Sequence, residues 1–356
     1  MTRYNHAFFL DPKIKYPSDQ PDLGFSDYVS QCKKIIAHTR LDLTNNPNAD
    51  LIIETNSPFE LKPTSTAAKK GYGVLLAHGL YDCPFVMKEL GVALQAQGLL
   101  GRSILLPGHG TQPGSLLNVT YQDWIQAVDY GVRSLSKEVE QIFLVGFSTG
   151  ASLMLHQVLK NAYTNIAGLV MLAPAIKISS LASIANLPPK LDWLTKKFDW
   201  FRIAKETDYA KYSSFTFNSA YQIYLLTQQI KKLSASINTV ACPVFVCLSE
   251  DDETISSKAA LAYFQQYADL KSQLIIYSKQ PQEWPDNRII KRPAAYRELR
   301  GETIVHTAIP ISPDNYHYGV KGDYVKQQPK ARLLFNPDFD FLQQTVTQFV
   351  TALMPS

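Results

Sequence analysis

The sequence predicts an α/β fold, a mostly parallel central sheet with helices on both faces, and three observations predict it. Continuous apolar runs such as YGVLLAH, QIFLVG and PVFVCLS alternate with stretches of amphipathic helical spacing, the pattern of strands buried on both sides. One run, 141–146, passes directly into Gly146-Phe147-Ser148-Thr149-Gly150 and then into ASLMLHQVLKNAY, which has helical spacing. The chain of 356 residues is 46% hydrophobic, normal for a globular protein with a sizeable core.

In chain order, residues 1–70 are rich in Pro, Asn, Asp and Ser, with a predicted helix over 25–40 and a predicted strand at LIIET, 51–55. This segment is expected to pack on the core or lead into it. From 72 the alternation begins: a strand over 72–78, a helix over 84–98 closed by Gly98, and a strand at SILLPG, 103–108. A helix over 121–139, the strand 141–146, a helix over 149–163 and the strand 167–175 follow. Between 176 and 238 the alternation breaks. That stretch carries Trp193, Phe198, Trp200, Phe201, Tyr209, Tyr212, Phe215, Phe217, Tyr221 and Tyr224, and its Pro188-Pro189 pair and mixed charges predict short helices. Order resumes with the strand 243–249, a helix over 257–268 and the strand QLIIYS, 273–278. A looser region containing QPQEWPDN precedes the strand-like ETIVHT, and an amphipathic helix over 339–354 closes the chain.

Composition narrows the function. A net charge of +4 without long basic clusters excludes a nucleic-acid binder, and Lys69-Lys70, Lys196-Lys197 and Lys231-Lys232 read as solvated faces. The four cysteines Cys32, Cys83, Cys242 and Cys247 lack metal-ligand spacing, and a chain of this length needs no disulfide staples, so buried free thiols are expected. The N-terminal AFFL run is too short for a signal-peptide core, and no window approaches the ~20 apolar residues of a spanning helix. A soluble, cytoplasmic protein with no integral membrane segment is the expectation.

Ser148 sits where chemistry requires such a motif. A nucleophile on a turn this sharp brings the positions two residues to either side against neighbouring backbone, so glycines at 146 and 150 remove the collision and the hydroxyl is held out at the sheet edge. A serine hydroxyl needs a base, and the base an orienting acid; in chains built on this elbow both follow the serine. Of seven histidines, only His306 and His317 lie beyond the next resumed strand. His306 follows the stiff ETIV run and is favoured. His317 lies in the turn-forming PDNYHYG and, if not the base, is expected at the surface or a pocket rim. The strand 243–249 ends in Glu250-Asp251-Asp252-Glu253. Asp252 is favoured over Asp251 as the acid because Ile255, three residues on, can turn the loop back into the core. The oxyanion donors expected are the backbone N–H groups of Thr149, next to the nucleophile, and Leu80, after His78-Gly79. His78 is expected to brace that loop.

Together LLAHGLYDCP, LPGHGTQPG, LVGFSTG, LSEDDETIS and the late His306 resemble the α/β-hydrolase superfamily, and within it the bacterial branch of monoacylglycerol lipases, lysophospholipases and serine aminopeptidases. The resemblance spans about residues 70–356 and implies an α/β-hydrolase core over 71–175 and 239–356 with a cap over 176–238. It implies Ser148 as nucleophile, Asp252 as acid, His306 as base, and Leu80 and Thr149 as oxyanion donors. The chain departs from that pattern at Ser249, where the family often has glycine, and in the long interval between acid and base.

The expected reaction is acyl transfer to water, with no metal and no cofactor. The cap aromatics, with Trp193, Trp200, Phe201 and Tyr221 as candidate pocket residues, suggest a small ester substrate with an apolar acyl or aryl group, lipid-derived in one version; equally, they could only pack the cap onto the sheet. A peptidase would need an acidic grip on a substrate amine, for which Asp192, Asp199, Glu206 and Asp208 are available. A non-catalytic ligand-binding relative would be expected to lack a triad member. Oligomeric state is not legible in the sequence.

Overall fold

A computed structural model describes residues 6–63, 71–177, 199–279, 284–296, 302–328 and 334–354. Among the described residues an eight-stranded sheet runs in the order β1-β3-β2-β4-β5-β8-β9-β10. Its strands are β1 (Phe59–Leu61), β2 (Tyr72–Ala77), β3 (Leu100–Ile104), β4 (Gln141–Phe147), β5 (Ile166–Leu172), β8 (Val244–Ser249), β9 (Gln273–Ser278) and β10 (Ile289–Pro293). β1 is antiparallel to β3 and every other pairing is parallel. The remaining strands, β6 (Trp200–Arg202) and β7 (Phe215–Thr216), form a separate antiparallel pair.

The described helices are α1 (Phe25–Thr39), α2 (Ala49–Asn56), α3 (Lys88–Ala96), α4 (Tyr121–Ser136), α5 (Thr149–Lys160), α6 (Phe217–Ser234), α7 (Ser257–Tyr267), α8 (Asp323–Gln327) and α9 (Phe339–Ala352). None of the described helices is long and apolar enough to cross a membrane. The core runs through β2, β4, β5, β8 and β9, whose residues are nearly all buried because helices lie above and below them. The four cysteines are free and buried within it.

The parallel register matters for function. Ala77 pairs with Gly146, Phe147 with Leu172, Leu172 with Cys247 and Ser249 with Tyr277, so the carboxyl ends of β2, β4, β5, β8 and β9 finish side by side. The loops leaving those ends carry residues 78–82, Ser148 and Asp252.

The N-terminal segment packs directly on this core: Phe25, Tyr28, Cys32 and Ile36 of α1 are buried in it. The Tyr28 hydroxyl accepts from Leu105 N–H at 3.0 Å and donates to Leu105 O at 3.2 Å. The sheet also takes its edge strand β1 from within the first 70 residues.

Several elements differ from expectation. LIIET is helical, inside α2, because Ile52, Thr55 and Asn56 are the buried positions and that spacing is a helix face. The strand expected at 103–108 lies at 100–104, where pairing with β2 ends at Ile104. Residues 199–234 form the β6–β7 hairpin and the 18-residue α6 rather than short helices. α6 is started by Thr216, whose side chain accepts from Ser219 N–H. ETIV is not a strand; Thr303 makes one bridge to Ala295 and a 3-10 turn begins at His306. β10 escaped the sequence reading because an edge strand tolerates the Lys291-Arg292-Pro293 run that breaks an apolar pattern.

Candidate active site

Ser148 lies between β4 and α5 with φ +53° and ψ −115°, a backbone conformation that a residue with a Cβ avoids. The neighbouring glycines permit it. A Cβ on Gly146 would lie 2.4 Å from Ala151 N, and one on Gly150 would lie 2.3 Å from Ala77 O and 2.6 Å from His78 O. The turn is held by Ser148 N–H donating to Leu172 O at 2.8 Å. Although Ser148 occupies the N-cap position of α5, its side chain makes no cap bond. It turns instead to His306.

The hydroxyl of Ser148 lies 2.9 Å from His306 Nε2, and His306 Nδ1 lies 2.5 Å from Asp252 Oδ2. A carboxylate can only accept, so Nδ1–H donates to Asp252 and Nε2 is left to accept from the serine. The second carboxylate oxygen, Oδ1, accepts N–H groups from Thr254 at 2.8 Å and Ile255 at 2.9 Å. Ile255 is buried, so the loop after Asp252 turns back into the core. The Asp252 side chain has no solvent exposure, and Ser148 and His306 are each 7% exposed. Asp251 points elsewhere, 3.7 Å from Lys279 Nζ.

Thr149 opens α5, so its N–H belongs to the first turn, which has no intrahelical acceptor. Leu80 lies on the loop after β2. That loop is braced by His78, whose Nδ1–H donates to Gly79 O at 2.8 Å while Nε2 accepts Leu106 N–H at 3.1 Å. Complete burial pushes the imidazole down to about 4, so it is neutral and able to accept. Beside it, His109 is pushed down to about 3 by burial and by His78.

His317 is not at a surface or rim. It is buried, with Nε2 2.8 Å from Asp208 Oδ1, while Tyr318 donates to Asp208 Oδ2 at 2.7 Å. Tyr209 packs against its ring at 4.2 Å between centroids. Asp208, from the stretch between β6 and β7, is what covers it, and no local feature of PDNYHYG signals a partner 109 positions away.

Of the candidate pocket residues, Trp193 lies outside the described residues. Trp200 stands edge-on to Phe9 at 5.1 Å, Phe201 is 51% exposed beside Phe217, and Tyr221 stacks on Tyr224 at 6.4 Å. Sequence reasoning gave no positioning role to Tyr81, Ser249 or Tyr212: Ser249 and Tyr212 reach loops of the site, and Tyr81, on such a loop, reaches α6, each through a partner remote in sequence.

The family described as serine aminopeptidase, S33, matches residues 69–280. A thermostable monoacylglycerol lipase of Bacillus sp. (strain H-257) is 28% identical over 210 residues, covering 57% of this chain and 79% of that protein. Among solved structures, the monoacylglycerol lipase of Paleococcus ferrophilus superposes with a TM-score of 0.54 at 13% identity, covering 83% of this chain and 98% of that one. A soluble variant of the Saccharomyces cerevisiae monoglyceride lipase with a substrate analog gives 0.53 at 15%, covering 84% and 92%. Est1E of Butyrivibrio proteoclasticus with bound ferulic acid gives 0.52 at 14%, covering 83% and 94%. At these identities the structural likeness speaks for the fold, an α/β-hydrolase core.

Proposed function

We propose, from the premise that this chain belongs to the serine aminopeptidase S33 family of α/β hydrolases, that it is a serine esterase of monoacylglycerol-lipase type, cleaving carboxylic esters with an apolar acyl or aryl group. The chain is an ester-hydrolysing enzyme; the triad and the substrate class are the proposed part. The observation that carries it is the unbroken series Ser148–His306–Asp252 at 2.9 and 2.5 Å.

In this reading Ser148 Oγ attacks the ester carbonyl as its proton passes to His306 Nε2. The imidazolium is steadied by Asp252, which is already oriented by two backbone N–H groups and so needs no rearrangement. Negative charge on the carbonyl oxygen is taken up by the N–H groups of Thr149 and Leu80. His306 returns the proton to the departing alcohol, then activates water to release the acid from Ser148. Ser148 and His306 sit in a nearly water-excluded site, which strengthens each of these electrostatic contacts.

A peptidase reading is less well supported by the acids between β6 and β7. Asp208 is engaged by His317 and Tyr318, and Glu206 accepts Ser213 N–H while burial holds its carboxyl above the ordinary range, disfavouring the charge that would grip an ammonium. The test is hydrolysis of p-nitrophenyl esters of graded chain length beside aminoacyl-naphthylamides, with the parent protein and Ser148→Ala. Rising kcat/KM with acyl length, each methylene adding at most ~0.8 kcal/mol, is expected. Faster cleavage of the amides overturns the ester reading; retained esterase activity in Ser148→Ala overturns the nucleophile.

A further inference from the structure

Tyr81, directly after Leu80, has φ +66°. This left-handed region is resisted by bulky residues, and glycine would occupy it freely. Tyr81 is the third residue of a turn closed by Asp82 N–H donating to Gly79 O at 3.3 Å, and the contacts that keep a tyrosine rather than a glycine there come from residues 211–219. Tyr212 N–H donates to Tyr81 O at 2.9 Å. The Tyr81 hydroxyl lies 2.6 Å from Ser219 Oγ in the first turn of α6, and its ring packs on Phe215 at 4.5 Å between centroids. The next residue, Asp82, pairs with Lys211 at 3.1 Å. Tyr212 is itself anchored, its hydroxyl accepting Thr111 N–H at 2.8 Å and donating to Gly108 O at 3.1 Å.

We infer that Tyr81 is a positioning residue through which residues 211–219 hold the Leu80 N–H in line with that of Thr149, so that the oxyanion site is complete only while this segment is seated. The inference rests on the proposed role of Leu80 and Thr149 as oxyanion donors. Its physical content is that strain is placed one residue from the donor: with the hydroxyl and ring contacts intact the strained backbone persists, and with them weakened the peptide carrying the donor relaxes away. A serine nucleophile and its base would then remain in contact while the developing charge lost part of its stabilisation.

Tyr81→Phe removes the Ser219 contact and keeps the ring; Lys211→Met removes the ion pair to Asp82 and keeps the stem. On p-nitrophenyl acetate each variant is expected to lower kcat by about tenfold, less than the 10²–10³ for complete loss of one oxyanion donor. KM should stay within about twofold of the parent, because the ground-state carbonyl makes weak use of the site. The rate of phosphonylation by a fluorophosphonate, whose phosphoryl oxygen enters the same site, should fall in parallel. Ser219→Ala should lower kcat at least as far as Tyr81→Phe, since it also removes the Ser219 bonds to Thr216, and adding Tyr81→Phe to it should cost nothing further, because the contact they share is already gone. Thermal midpoints near the parent's exclude a folding defect. The inference is overturned if both Tyr81→Phe and Lys211→Met keep parental kcat and phosphonylation rate, or if their whole effect lies in KM. Loss of activity in Ser148→Ala beside unmoved Tyr81→Phe and Lys211→Met sinks this inference alone; retained activity in Ser148→Ala sinks the reading beneath it as well.

Discussion

The hydroxyl of Ser249 donates to the carbonyl oxygen of Ile304 at 2.7 Å, two residues ahead of His306. The same residue's carbonyl accepts from Asp252 N–H at 3.2 Å and from the Ser257 hydroxyl at 2.5 Å. One buried serine at the end of β8 therefore touches both the loop bearing Asp252 and the loop bearing His306. These two residues lie 54 positions apart, and an interval that long gives the His306 loop little constraint from chain connectivity.

Ser249→Ala leaves Ile304 O buried without that donor, a loss of about 1–3 kcal/mol. We expect a lower unfolding midpoint in urea together with a severalfold fall in kcat, and partial recovery in Ser249→Thr, which keeps the hydroxyl. A variant with parental kcat and midpoint would mean that this bond constrains nothing.

His306→Ala should lower kcat by on the order of 10³ or more, because it removes the proposed base, 2.9 Å from the Ser148 hydroxyl. His317→Ala should behave differently. It takes the imidazole from buried Asp208, which keeps only the Tyr318 hydroxyl and the Ala210 N–H among its described partners, so stability should fall while kcat of the folded fraction changes modestly. Steady-state kinetics read beside thermal melts separate the two; exchanged behaviour would make His317 the base.

Gly150→Ala should be severely damaging, although alanine favours helices. Its Cβ would fall on the backbone oxygens of Ala77 and His78, neither of which can swing aside as a side-chain end could. The displaced strand end leads straight into Leu80, so kcat should fall together with the melting temperature. A soluble variant with parental activity would show that β2 and α5 are less closely apposed than the geometry requires.

Acid should destabilise the fold through His78. Its folded value is about 4, below the ordinary 6.5, so between those pH values the unfolded chain binds the extra proton and stability falls as pH falls. The contribution is fully present above pH 6.5 and lost by about pH 4, on the order of 3 kcal/mol. His109, held at about 3 mainly by burial, acts in the same direction. Urea midpoints measured across that window should drop for the parent and drop less for His78→Gln; identical slopes would remove His78 as the source.

What could be read along the chain was what local sterics and chain order encode. Gly146 and Gly150 around Ser148 announce a turn that only a strand-to-helix junction can accommodate, and the apolar runs announce strands covered on both faces. The order of serine, acid and histidine narrowed the base to two candidates. Only the tertiary structure brought His306 to 2.9 Å from Ser148 and buried His317 against Asp208. Choosing between those histidines depends on which loop closes over which strand end, and that is set by packing between residues more than a hundred positions apart. The same holds for Tyr81. Its positive φ is not announced in HGLYDCP, where glycine rather than tyrosine would be expected at that turn position: the turn closed by Asp82 N–H on Gly79 O is completed by contacts with Tyr212, Phe215 and Ser219, which no local pattern ties to it.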